Sequence, residues 1–343
     1  MLMTCVQEFR YAWRNLRRAP GFTAVTVLTL ALGIGANAAI FTFVNAILLE
    51  PLPYHEPERL VAVGHRYRHL SGGRSVSALS YMDYRDGNKV FAQQAAYSFA
   101  PANFASESQP ERVRGYRVTP DFFAMLGVQA ALGRVFIADD YHGTGADVLL
   151  LSNEIWRRNF AADPNVLGKT VRLDGRPHTV IGVLPAGFYF RTPADIWRPL
   201  VFPAFHLSPP VRRANEAFSM IARLGPGLTL AQAQGDFDRI AAQMRERHPE
   251  IYRADSGWRI EVQPYREILV GNVRPGLLLL TGVAAFVLLI ACANIANLLL
   301  ARAEDRRKEF AVRVALGAGR GALTRQLMAE CALLAVLGGE VAA

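Results

Sequence analysis

Two long stretches of this chain carry no charged side chain at all: Phe22 to Leu49, 28 residues, and Pro275 to Ala301, 27 residues. At about 1.5 Å rise per residue, each forms a helix longer than the ~30 Å hydrocarbon core of a bilayer. Soluble folds seldom bury helices of that length and purity, so both are expected to span a membrane. Much of the 51% hydrophobic fraction is concentrated in them. A cleavable secretory signal is the rival reading of the first stretch, because arginines precede it and Ala36-Asn37-Ala38 imitates a cleavage site. The apolar run continues for eleven residues beyond Ala38, which favours a retained span.

Arg10, Arg14, Arg17 and Arg18 precede the first span, and Arg302, Arg306, Arg307, Lys308, Arg313, Arg320 and Arg325 follow the second. Cytoplasmic loops carry the excess of Lys and Arg, so both flanks are expected inside the cell and the region between the spans outside the cytoplasm. That region, Glu50 to Arg274, holds 27 Lys/Arg against 23 Asp/Glu, an ordinary solvated balance. The net charge of +9 therefore reflects topology and gives no case for nucleic acid as a partner.

Residues 163 to 170, DPNVLGKT, end like a phosphate-cradling loop. The full signature needs glycine where Asp163 stands, and a helix must follow. Here TVRLDGRPHTVIGVLP follows, two β-rich runs around Asp174-Gly175, a strong hairpin signal. A turn before a hairpin is the expectation, with no bound nucleotide and no cofactor. Cys5, Cys292 and Cys331 all fall outside the central region, which excludes a disulfide there and a Cys-based zinc site anywhere. His65 and His69 have a helical chelating spacing, but LVAVGHRYRHLSGG reads as a strand entering a Gly-rich loop, with no third ligand in the local sequence.

The central region reads as mixed α+β. Short β-branched runs (LVAVGH, ERVRGYRV, DVLLLS, TVRLDG, HTVIGVL, WRIEVQPY) are expected strands. Helices are expected from Thr119-Pro120-Asp121 to Gly127 with Thr119 as N-cap, after Ser152, and from Thr229, where Gln232 completes a capping box. The last presents Leu230, Ala233, Phe237, Ile240, Ala241 and Met244 as one apolar stripe. Residues 137 to 200 are expected to form an inserted lobe. No nucleophile elbow, catalytic triad or metal motif is visible, which leaves an external enzyme with little support.

The cytoplasmic end carries more chemistry. Asn294 and Asn297 are three apart beside Ala291, Ala293 and Ala296, so close helix packing with amide hydrogen bonds is expected there. Beyond Arg302, Glu304 with Lys308 and Glu309 with Arg313 form Glu-first i, i+4 pairs suited to a solvated stalk. Phe310, Val312, Val314 and Leu316 are too apolar for a stalk alone, and Gly317, Gly319 and Gly321 turn the chain towards a third apolar segment. A short amphipathic helix at such a turn is expected to dock on a partner.

FRYAWRNLRRAPGFTAVTVLTLALGIGANAAIF, PLPYHEPERLVAV, ERVRGYRVTPDFFAMLGVQAALGR and ACANIANLLLARAEDRRKEFAVRVALGAGRGALTRQL together resemble the ABC-transporter permeases of the MacB/FtsX/lipoprotein-release superfamily, most closely the duplicated-permease branch. The resemblance covers nearly the whole chain. It implies an α+β membrane protein with a MacB-type core domain outside the cytoplasm of a bacterial inner membrane. By the same likeness Arg10 to Ala19 would be a cytoplasmic elbow helix. Glu309, Phe310, Arg313, Val314 and Gly317 would couple to an ABC ATPase subunit in trans, and Gly33, Gly35, Asn37, Asn294 and Asn297 would pack helices in the lipid bilayer. A homodimer, or pairing with a second permease half, is implied as well, with ATP hydrolysed in the partner and the external domain moved for export or mechanotransmission. Such permeases have four spans, or eight in the duplicated branch, whereas this chain ends at Ala343 within what would be span three, as a truncated product would. A regulator of cell-wall hydrolases built on the same machinery, a two-span sensor and a membrane-anchored enzyme remain as alternatives.

Overall fold

A computed structural model describes residues 10, 12–14, 16–45, 50–68, 75–105, 111–142, 147–202, 207, 213–271, 273–305 and 320–342. The chain divides into two compact units, one formed by Met1–Glu50 with Asn272–Ala343 and the other by Pro51–Gly271.

The first long helix, α1 (Pro20–Val44), starts on a proline, which lacks only an N–H that would have no partner in the first turn. The domain Pro51–Gly271 then runs β1 (Leu60–Arg66), β2 (Ser75–Val76), α2 (Ala78–Gly87), β3 (Phe91–Phe99), β4 (Ala102–Ala105), β5 (Glu111–Val113), β6 (Gly115–Val118), α3 (Phe122–Leu126), β7 (Leu132–Gly133), β8 (Val148–Leu151), α4 (Asn153–Phe160), β9 (Thr170–Leu173), β10 (Arg176–Val183), β11 (Ile196–Pro199), β12 (Phe218–Leu224), α5 (Leu230–Arg247), β13 (Arg259–Pro264) and α6 (Tyr265–Val270). Two further long helices follow, α7 (Arg274–Asp305) and α8 (Arg320–Ala342).

The strands lie side by side in the order β13, β1, β12, β3, β6, β11, β8, β10, β9, β4, β5, with β2 on β12 and β7 on β10. All pairings are antiparallel except β6 with β11 and β8 with β10. The stretch expected as an inserted lobe thus supplies β8 to β11 to the common sheet. It shares a core with β4 and β5, in which Phe104, Leu149, Leu151, Ile155, Val180 and Ile196 are fully buried.

Alternation along the strands sorts side chains to two faces. On one face Val61, Val63, Met220, Ile260 and Val262 meet α2 and α5. There Ala233, Phe237, Ile240, Ala241 and Met244 of the expected stripe are buried, and Leu230 is half-buried at its end. On the other face Leu60, Ala62, Tyr116, Ile221 and Trp197 meet Phe122, Phe123 and Phe190. Trp197 stacks on Tyr116 with ring centroids 5.0 Å apart.

The local signals act as written in most places. Thr229 and Gln232 form the reciprocal capping box of α5, and Ser152 accepts from the Ile155 N–H to cap α4. Asp174 (φ 51°) and Gly175 (φ 81°) make the two-residue turn between β9 and β10. Both positions need positive φ, which Asp tolerates and Gly adopts freely. Thr119 does not cap α3. Its carbonyl accepts from the Phe122 N–H, while its hydroxyl turns into the sheet and accepts from the Ala96 N–H at 2.9 Å. The helix therefore starts two residues later than expected, at Phe122, with Asp121 at the N-cap position and no side-chain cap.

Candidate functional site

In the helical unit, α1 and α7 meet through small residues. A Cβ at Gly33 would lie 3.3 Å from Ala291 Cβ and 3.9 Å from a Leu288 methyl, so glycine is what permits the approach. One turn further along α1, the Asn37 side-chain amide donates to Gly33 O (2.8 Å) and across the helix pair to Ala284 O (3.2 Å). An amide in a hydrocarbon environment costs several kcal/mol unless paired, about the price of an unmade hydrogen bond in oil, and here both bonds are made within the helix pair. At the other end the Arg302 guanidinium lies over the Phe22 ring at 4.4 Å. α8 reaches α1 through Gly338, where a Cβ would come within 2.5 Å of Leu30 Cβ. Gly35 is half-buried in α1.

The seam on α7 follows a three-and-four spacing, Ala284, Leu288, Ala291, with Ile295 and Leu298 half-buried beyond it. Asn294 and Asn297 fall beside that row and are exposed. Two amides three residues apart on an apolar helix thus have their surface open. Glu309, Phe310, Arg313, Val314 and Gly317 lie outside the described residues, as do Cys5 and His69.

The GKT sequence has a different use from phosphate binding. Asp163 caps a short 3-10 turn, Pro164–Val166, by accepting from the Asn165 N–H at 2.9 Å, and its other oxygen pairs with Lys169 Nζ at 3.0 Å. These two contacts, the backbone N–H first, hold the Asp163 carboxyl below its ordinary range. Gly168 takes φ 79° and Thr170 opens β9. The residue that replaces the P-loop glycine is therefore the one that engages the lysine.

Sequence reasoning missed a buried polar cluster behind β1. His65, fully buried, sits between Glu216 Oε1 (2.5 Å from Nδ1) and the Tyr84 hydroxyl (2.5 Å from Nε2), and Tyr67 donates to the same Glu216 oxygen. Burial raises the Tyr84 hydroxyl well above its ordinary range, and burial with the Glu216 contact does the same to Tyr67. Rings of Trp258 (5.1 Å) and Tyr252 (6.1 Å) close around the imidazole. No group of three or more metal-ligating side chains occurs among the described residues. The arrangement satisfies a buried histidine. Glu216 lies 151 residues away in sequence, which is why local spacing gave no sign of it.

The chain combines a mixed α/β domain with two helices long and apolar enough to cross a bilayer (Pro20–Val44 and Arg274–Glu304). The MacB-like periplasmic core domain model matches residues 23–240 and the FtsX-like permease C-terminal model residues 281–342. The chain belongs to the MacB-like periplasmic core domain family, with an FtsX-like permease segment behind it. It is 23% identical over 329 residues to the macrolide export ATP-binding/permease protein MacB of Hahella chejuensis, covering 94% of this chain and 47% of that protein. It is 24% identical over 328 residues to MacB 1 of Aeromonas hydrophila, covering 92% and 46%. The chain thus spans about half the length of the curated relatives it matches. The crystal structure of the periplasmic region of MacB from Actinobacillus actinomycetemcomitans aligns with 67% of this chain and 98% of its own at 14% identity and a TM-score of 0.46.

Proposed function

We propose that this chain is the permease subunit of an ABC transporter, driven by an ATPase subunit in trans and working by movement of its core domain outside the cytoplasm, for export or mechanotransmission. The observation that carries this reading is the pair of family matches, a periplasmic-type core domain followed by a permease segment, over 23–240 and 281–342. The helical contacts support it. Gly33 against Ala291 and the Asn37 bond to Ala284 O tie α1 to α7, and on this reading the pair would move as a unit. The turn use of Lys169 is consistent with ATP hydrolysis elsewhere than on this chain. Glu309, Phe310, Arg313, Val314 and Gly317 are the proposed coupling segment on the cytoplasmic side of the inner membrane. Asn294 and Asn297, exposed on α7, are the proposed contact for a second copy or a second permease half, since lipid cannot satisfy their amides.

The test is co-purification of an ABC ATPase subunit expressed beside the chain. An i, i+4 Glu–Arg pair on a solvated helix is worth only ~0.3 to 0.5 kcal/mol, so a large effect has to come from docking. Phe310→Asp is expected to insert in the membrane at wild-type level and to lose the ATPase. Retention of the ATPase at wild-type yield would remove the coupling assignment.

A further inference from the structure

A basic cleft in the core domain has no role in the reading above. β6 and β11 run parallel with Arg117 and Arg198 as direct register partners, and Arg176 and His178 follow on β10. Like charges placed opposite each other on neighbouring strands repel and are ordinarily avoided. These two, with Arg176, His178, Asp147, Asp174 and three apolar neighbours, line a cavity of about 530 Å³. That is within the ~300 to 1,000 Å³ of small-molecule sites.

Arg198 is only 6% exposed. Its Nη2 donates to Ala100 O at 3.0 Å, while its Nε is buried with no hydrogen-bond partner among the described residues. Burial first, and Arg117 second, oppose its charge. Burial also lowers the affinity of His178 for a proton. Among the described residues none of Arg117, Arg176 and Arg198 forms an ion pair. Asp174 is engaged by Asn103, accepting from its N–H at 2.9 Å and its amide at 3.2 Å. A largely buried guanidinium that lines a cavity, keeps one buried N–H without a partner and stands beside a second arginine, with Asp174 the carboxylate that favours its charge, is a costly arrangement that a bound anion would relieve. Planar guanidinium groups match oxyanions bidentately.

We propose that this cleft binds the phosphate or carboxylate group of a small organic anion, with Arg198 as the buried anchor and Arg117 and Arg176 flanking it at the rim. The site is independent of ATP coupling and of what, if anything, crosses the membrane. The purified full chain in phosphatidylcholine nanodiscs is titrated with inorganic phosphate and, separately, with acetate, against sodium chloride at matched ionic strength, and its thermal midpoint is followed. A saturable rise is expected with at least one of them, and which anion responds assigns the group. Arg198→Gln should abolish the rise, and Arg117→Gln or Arg176→Gln should move its half-saturation up roughly tenfold. General salting effects act on all variants alike. If Arg198→Gln does not fold, the two exposed rim variants carry the test. No saturable response in the wild type, or equal half-saturation in the wild type and both rim variants, overturns the proposal.

Discussion

In the domain Pro51–Gly271, Phe122, Phe190, Phe237 and Trp197 are at most 1% exposed, whereas in the helical unit Leu32 and Leu279 are each 72% exposed and Phe286 70%. The same residue types thus face their own fold in one unit and their surroundings in the other. Apolar side chains leave water for the protein interior in the domain. Along α1 and α7 they stay exposed, as side chains that face a bilayer do. Polar groups invert in parallel. The domain satisfies His65 with side chains from distant segments, while α1 satisfies Asn37 with two backbone carbonyls of its own helix pair.

The largest expected effect sharpens that contrast. Trp197→Ala removes a ring packed on Tyr116 and within 5.6 Å of Phe122, Phe123 and Phe188, and should cost about 3 to 5 kcal/mol of domain stability by urea unfolding. Phe286→Ala, on the exposed face of α7, should leave that transition within about 0.5 kcal/mol of wild type. Comparable losses from both would mean that α7 is packed as a soluble core helix.

Next comes the ion pair Arg134–Asp140. The Asp140 carboxylate, nearly buried, takes two bonds from Arg134 (2.6 and 2.9 Å) and one from the Ile137 N–H (2.8 Å). Burial pushes its pKa up, but these donors prevail and hold it below the ordinary carboxylate value. A depressed folded pKa contributes stability that is present above the unfolded value, near 4, and lost as pH falls through the folded one. Asp140→Asn should therefore cost about 1.5 to 3 kcal/mol at pH 7. The gap between variant and wild-type melting curves should close as pH drops below about 4. A gap independent of pH would assign the role to packing.

The smallest effect belongs to the membrane side. Asn37→Leu deletes the bond to Ala284 O, and interhelical bonds in bilayers average ~0.6 kcal/mol with a maximum near 1.7. A loss within that range in detergent-denaturant titration fits a paired amide whose alternative is another helix or lipid. A loss several times larger would place Asn37 in a water-excluded soluble core.

What could be read in advance follows the range of the interactions. The Asp174-Gly175 turn, the Ser152 cap and the Thr229–Gln232 box each depend on residues at most three apart, and each appears as its local chemistry dictates. Thr119 misled because its hydroxyl had a better partner in Ala96, 23 positions away across the sheet. The His65–Glu216 contact and the Arg117–Arg198 pair exist only because β12 and β11 return beside earlier strands, and nothing local encodes that register. In the helical unit the sequence marks small and amide residues on both helices, and no local signal says which of them face the neighbouring helix. Gly33 and Asn37 meet α7, whereas Asn294 and Asn297 sit one position off the seam.

The proposed sidedness follows from the cationic flanks and can be measured directly. In a chain whose Cys5, Cys292 and Cys331 are replaced by serine, single cysteines are placed at Asp255, whose side chain is 70% exposed, and at Arg320. Intact cells, with the outer membrane permeabilised where there is one, are treated with a membrane-impermeant thiol reagent. Labelling at position 255 with protection at position 320 until the cells are lysed is the predicted result. Labelling of both positions in intact cells, or protection of position 255, would contradict a core domain held outside the cytoplasm between two spans.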